Sequence, residues 1–339
     1  MTRAAGQAAT GLTAGRAGAS RDAGRAATDL VAGLDIGGTK MAAALVDRSG
    51  TVMATATRPT PATAGRDAIL TAAADLLRTL SGNEAIAAVG VGAAGVVDQR
   101  RGVVVSATQA LAGWAGTDLR GELSRRLALP VAVDNDVHAH ALGEQWRGAA
   151  AGYADVLLIA IGTGIGASMI LDGRVRHGAH AVAGHAGHVP VASAAGLACP
   201  CGGRGHVEAV ASGPALLAQY RNRSGTDVDH LAEVARLAAA GDPVAIAVLA
   251  EGGTAAGQAI GGLMNVIDPE IVVIGGGVPG CGEPWWRPLR AAVRAETLPA
   301  LRDVPVVPAT LGADAALLGA ARLAFTLLDH QEALTKEDL

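Results

Sequence analysis

Aromatic residues are scarce in this chain: one phenylalanine, two tyrosines and four tryptophans among 339 residues. So few flat side chains argue against a stacking platform for single-stranded nucleic acid. Positive charge is not in excess either. Lysine and arginine number 27 against 31 aspartates and glutamates, a net charge of −4, so no global field draws in nucleic acid or anionic lipid. Cysteine occurs three times, and Cys199 and Cys201 stand one residue apart, which excludes a disulfide framework. Apolar runs have the length of strands, and no membrane span is expected. A soluble, cytoplasmic protein is therefore the expectation, with neither nucleic acid nor membrane as a partner. What is abundant is small and apolar. Half of the residues are hydrophobic and only 17% are charged, and the length suffices for two lobes, each with its own core.

Residues 1–30 stand apart. They are alanine, glycine, arginine, serine and threonine with almost no large apolar side chain. Such a stretch buries too little surface to offset its ordering entropy and lacks the apolar core of a signal peptide, so a disordered tail is expected. From Leu30, the run LVAGLDIGGTKMAAALVDRSGTVMATATR reads as strand, glycine turn, strand, polar turn, strand. A dinucleotide-binding fingerprint would enter a helix directly after its glycines. Here a strand follows, which makes a hairpin with Gly37, Gly38 and Thr39 at its tip. The layout recurs with Val156–Ile161, the turn GTGIG, Ala167–Leu171 and Asp172–Gly173. Two such units, one near the start of each half, imply a duplicated α/β architecture with a cleft between lobes. Helices are expected over 66–80, 121–127, 137–146, 229–240, 243–264 and 313–325. Strands are expected over 86–97, 130–133 and 271–274, and the last dozen residues read as a polar end.

Glycine turns at strand ends let backbone N–H groups approach an anion. Thr39 and Thr163 add hydroxyls to two of them, a combination that suits phosphate oxygens. Asp35, at the first turn, is placed to hold a hydrated Mg²⁺ beside those phosphates, or else to cap the turn. Gly275, Gly276 and Gly277 follow a third strand and suit close approach to a nucleotide or an ordinary loop. Asn135 and Asp136 stand where a strand meets a helix. Asp136 is either a helix cap or a general base at a strand end, the one carboxylate that sugar phosphorylation needs to accept a hydroxyl proton. Asp134 is its rival at the same strand end. His188, Cys199, Cys201 and His206 make a four-ligand set suited to a structural zinc, with His180 and His185 as alternative ligands and an inert glycine-rich loop as the other reading. Glu208 is either a sugar-binding carboxylate or an exposed acid at a helix start. Cys281 is a lone thiol.

The motifs LDIGGTK, VDND, IGTGIG, GHAGHV, CPCGGRGHVE and IDPEIVVIGGGV, in this order over about residues 31–325, resemble the ROK family of sugar kinases and repressors. The resemblance implies an actin-like, hexokinase-type (ribonuclease H-like) fold with ATP and sugar in the cleft between two α/β lobes. The lobes would span 31–133 and 134–312, with a helix near 313–326 packing back on the first. It implies that Asp35, Gly37, Gly38, Thr39 and Lys40 form one phosphate loop and Gly162, Thr163 and Gly164 the other. Gly275, Gly276 and Gly277 would lie on the adenosine side. Asp136 becomes the catalytic base, Asn135 and Gly95 sugar contacts, His188 a zinc ligand beside the sugar, and Glu208 a sugar-binding carboxylate. A homodimer or homotetramer is implied as well.

Three positions depart from the family pattern. Glu-x-Gly-His becomes His185-Ala186-Gly187-His188, placing an imidazole where a carboxylate would bind ring hydroxyls. The last zinc cysteine becomes His206. The Pro-Gly and Asn-Leu sugar-loop pairs become Ala94-Gly95 and Gln109-Ala110. Exchange of carboxylate for imidazole alters both charge and hydrogen-bonding inventory. The expected activity is therefore phosphorylation by ATP of the primary hydroxyl of a hexose or hexose-like ring. An amino sugar such as kanosamine, or a C7-cyclitol, stands beside glucose as the acceptor. A sugar-responsive regulator or a silent sugar-binding protein is the alternative, although 30 residues before the first loop are too few for a winged helix-turn-helix.

Overall fold

The structure, a computed structural model, describes residues 30–107 and 110–337. Residues 1–29 of the expected tail, and Gln109, lie outside the described residues. In chain order the elements are β1 (Leu30–Ile36), β2 (Lys40–Asp47), β3 (Val52–Pro59), α1 (Arg66–Ser81), β4 (Val89–Ala93), β5 (Val96–Asp98), β6 (Val103–Ser106), α2 (Leu119–Leu127), β7 (Val131–Asn135) and α3 (Asp136–Arg147). There follow β8 (Val156–Ile161), β9 (Ile165–Leu171), β10 (Arg174–Val175), α4 (Glu208–Ala211), α5 (Gly213–Ser224), α6 (Leu231–Ala239), α7 (Pro243–Ile267), β11 (Ile271–Gly275), α8 (Glu283–Glu296), β12 (Val306–Pro308) and α9 (Ala315–Glu337).

Two compact units are formed, one running to Gly143 and resuming at Ala313, the other spanning Glu144–Gly312. The first holds a sheet of order β3-β2-β1-β4-β7 and the second a sheet of order β10-β9-β8-β11-β12. In each, the first three strands of the unit pair antiparallel and the next two add in parallel. The duplication suggested by the two strand–glycine–strand runs is thus present as one topology built twice. β4 and β11, central and parallel, are buried along their whole length, as expected of strands covered on both faces.

The first unit runs ten residues further than the boundary expected after residue 133. β7 closes the parallel edge by pairing with β4, and α3 crosses α9 at contact distance, where a Cβ on Gly319 would lie 1.6 Å from the Ala139 carbonyl oxygen. α9 also lies against β1 and β4, over Gly33 and Gly90. It continues past residue 325 because LLDHQEALTKE contains strong helix formers and no stop signal, and Arg48 pairs with Asp329 at 2.7 Å. The expected strand over 86–97 is divided. β4 ends at Ala93, Gly95 turns the chain with φ of 108°, and β5 follows. Neither α5 nor α8 was expected. α8 carries Pro284 near its start and Pro288 inside, residues that mask a helical pattern. Among the described residues α7 is long and apolar enough to cross a membrane, contrary to the expectation that no such segment exists, yet most of its apolar stretch is buried inside the unit. Its Gly253 and Gly257 abut the α8 backbone, the packing of a core helix.

Candidate active site

In the first unit the parallel strand ends bring two carboxylates to one place. Asp35 on β1 pairs across to Gly92 on β4, and β7 on the far side of β4 ends at Asn135, where Asp136 opens α3. A Cβ on Gly92 would stand 3.5 Å from the Asp136 Cα and 3.9 Å from the Asp35 Oδ1, so the bare glycine lies between them. Burial pushes the Asp35 carboxyl up to about 7, the Asp136 charge adds to the rise, and Lys40 opposes it. Burial also raises Asp136, against the lowering effect of the Val137 N–H and the Asn135 amide. Two carboxylates with raised values at one set of strand ends suit proton transfer and cation binding.

Asn135, rather than Asp136, caps α3. Its Oδ1 accepts from the Val137 N–H at 2.9 Å and the His138 N–H at 3.3 Å. Its Nδ2 donates to the Asp136 Oδ1 at 2.8 Å and to the Gly95 carbonyl at 2.9 Å. One amide thereby orients the Asp136 carboxylate and fastens the Gly95 loop to it. Asp134 is 1% exposed, accepts the Asn135 N–H at 2.7 Å and meets the His138 Nδ1 at 2.9 Å, so it is committed to holding the start of α3. At the β1–β2 tip, Gly37 N–H donates to the Lys40 carbonyl at 3.1 Å. Thr60, absent from the sequence reading, braces this tip by donating from Oγ1 to the Gly37 carbonyl at 2.7 Å. Thr39 and Lys40 are exposed.

In the second unit the β8–β9 tip is closed by the Gly162 N–H on the Gly164 carbonyl at 2.9 Å, with Thr163 and Gly164 exposed. The third glycine cluster is brought against this turn. Gly276, at φ of 90°, sits where any Cβ would meet the Ile161 backbone, its oxygen at 2.2 Å. Gly276 and Gly277 are exposed, whereas Gly275 is buried as the last residue of β11. Glu208 opens α4, and its Oε2 accepts the Ile165 N–H at 2.7 Å. That bond joins residues 43 apart, and no local signal in the sequence announces it.

His188, Cys199, Cys201 and His206 place one donor atom each within 4.8 Å of one another. The Cys199 Sγ lies 3.6 Å from the His188 Nδ1, and the Cys201 Sγ lies 3.3 Å from the His206 Nδ1. A tetrahedral zinc with ordinary bond lengths has sulfur–nitrogen edges of roughly 3.5 Å, so this donor set fits the ion. Bridges Pro190–His206 and Ala198–Arg204 fold the loop onto itself. His185 lies outside the donor set. It is exposed and contacts the Val182 carbonyl through Nδ1 at 2.9 Å, with its ring 6.2 Å from that of His188. His180 is exposed and outside the set as well. Cys281 is buried, and burial pushes its thiol up to about 11, which makes it unreactive.

A model of the ROK family matches residues 31–326. The glucokinase of Halalkalibacterium halodurans is 34% identical over 306 residues, covering 85% of this chain and 92% of the relative. The crystal structure of a ROK hexokinase from Thermus thermophilus is similar with a TM-score of 0.79 and 34% identity, over 89% of this chain and 99% of that one. That of a ROK family glucokinase from Streptomyces griseus, in complex with glucose and AMPPNP, gives 0.76 and 34% over 87% and 99%.

Proposed function

The chain belongs to the ROK family and is an ATP-dependent sugar kinase of the actin-like, hexokinase-type fold, and from that premise we propose that it phosphorylates the primary hydroxyl of a hexose-like ring with Asp136 as general base. The observation that carries this reading is the pairing of Asp136 with Asn135. The amide holds Oδ1 in place and leaves the other carboxylate oxygen to meet an alcohol. In the reaction Asp136 takes the hydroxyl proton as the alcohol oxygen bonds to the terminal phosphorus of ATP and the bond to the ADP oxygen breaks. The raised value of Asp136 brings it nearer the working pH, where a base transfers protons best.

Asp35 and Lys40 stand at the first turn, where Gly37, Gly38 and Thr39 would receive phosphate oxygens. Gly162, Thr163 and Gly164 would do so in the second unit, with Gly276 and Gly277 on the adenosine side. The charge that Asp35 resists carrying is the charge a Mg²⁺ ion would favour, and Asp35 is the residue to hold that ion through water. When bound, magnesium supplies neutralisation of the phosphate charge. The Cys₂His₂ set would hold a structural zinc, since four protein donors leave no open position.

Gly95, Asn135, His188 and Glu208 form the sugar side of this reading, and His185 is its variable wall. An imidazole there, in place of a carboxylate, favours an acceptor whose ring substituents differ from glucose, with an amino sugar such as kanosamine or a C7-cyclitol as candidates. The enzyme is taken as a cytoplasmic homodimer or homotetramer. The test is a panel of glucose, amino sugars and cyclitols assayed for ADP release, with the product's phosphate located by ³¹P–¹³C coupling. Phosphate on a primary carbon of a ring acceptor supports the proposal. Phosphate on a ring carbon hydroxyl, or no turnover across the panel, refutes it.

A further inference from the structure

Glu208 is tied to more than a sugar. Its Oε2 accepts the N–H of Ile165, the first residue of β9 and the residue directly after the Gly162–Thr163–Gly164 turn. The opposite flank of the same turn is held from the same segment, by the Gly213 N–H on the Gly162 carbonyl at 2.8 Å. The stretch Glu208–Gly213 thus clamps the turn from both sides. The oxygen occupies space that two bare glycines leave open. A Cβ on Gly164 would lie 2.8 Å from it and a Cβ on Gly187 would lie 2.9 Å from it. The backbone carrying Glu208 is fixed in turn, because the Val207 N–H donates to the Val189 carbonyl at 2.9 Å, a bond between the residues that directly follow the two histidines of the candidate donor set. A negative charge beside a turn meant for phosphate is electrostatically adverse, so a carboxylate at this place needs a geometric reason.

We propose that Glu208 is a positioning residue for the nucleotide, with Oε2 pinning the second glycine turn and Oε1 left to the sugar. This rests on the assignment of the Gly162–Gly164 turn to phosphate made above. Acceptor reach, not charge, is what the turn requires. A glutamine at 208 keeps a carbonyl oxygen at the same distance. An aspartate keeps the charge and loses one methylene of reach.

The experiment is calorimetric titration of ADP with Mg²⁺, without sugar, on E208Q and E208D of matched metal content. For E208D we expect roughly tenfold weaker ADP binding, as for the loss of one buried hydrogen bond to a charged group. For E208Q we expect affinity within about twofold of the unsubstituted protein, since its amide oxygen still accepts. Both variants should raise the sugar KM. Unchanged ADP affinity in E208D, or an equal loss in both variants, overturns the proposal. Should E208D not fold, amide hydrogen exchange in the unsubstituted protein and in E208Q decides the matter. An Ile165 N–H protected in both supports the pin, and one exchanging as fast as those of Thr163 and Gly164 overturns it. T163V separates this inference from its premise. ADP affinity unaffected by T163V removes the phosphate assignment of the turn itself, and the proposal with it.

Discussion

Replacing Asp35 with asparagine should stabilise the protein above neutral pH while abolishing its activity. In the unfolded chain this carboxyl has its ordinary value of 3.8, and in the folded protein burial and the Asp136 charge raise it to about 7. Below pH 4 both states hold the proton, and Asp35 contributes no pH-dependent term. Between pH 4 and 7 the unfolded chain has released a proton that the folded protein still keeps, so stability falls as pH rises. Above 7 the penalty is complete. A rise of this size corresponds to about 4 kcal/mol, a ceiling because the side chain is only half-buried. Asparagine has nearly the same shape and no charge. Thermal and urea unfolding of D35N and the unsubstituted protein should therefore diverge by up to about 4 kcal/mol at pH 8 and converge near pH 4. A D35N protein no more stable than its parent at pH 8, or a gap that persists at pH 4, would refute the reasoning. The sign is that of a functional site kept at the expense of stability.

Other outcomes follow from packing and from the metal-donor set. Gly90→Ala would put a Cβ 1.7 Å from the Ala320 carbonyl oxygen, so α9 must shift off the sheet; a loss of about 1–3 kcal/mol is expected in denaturant melts. Elemental analysis should find one zinc per chain. His206→Ala should lower both the metal content and the melting temperature, and zinc-free protein that melts with the parent would remove the structural role.

How much of this was legible in the sequence varied with the range of the interaction. The two hairpins were readable because their strands, turns and glycines are local, and the repeated order of both sheets follows from them. The end of β7 and α3 up to Gly143 fall in the first unit, beyond the boundary expected after residue 133, because membership depends on parallel pairing with β4 and on contact with α9 nearly two hundred residues away. α8 was missed because prolines that start and interrupt a helix look like loop residues. The cluster of His188, Cys199, Cys201 and His206 was readable as one candidate donor set from its thiols and imidazoles, but its separation from His180 and His185 is set by the fold of the loop. Two details had no local signal. Asn135 takes the cap that Asp136 also suits, because the residue before the helix has the extended backbone a cap needs. Glu208 reaches a backbone amide on a distant hairpin, a contact only the fold creates.

The most direct measurement is the single-turnover rate of D136N with its best acceptor and ATP, read by rapid quench beside a binding titration of the sugar. Loss of the base should slow phosphoryl transfer by about 10²–10⁴-fold while the acceptor still binds and the protein still melts cooperatively. Transfer at the parent's rate in a folded, sugar-binding D136N would contradict the assignment of the proton to Asp136.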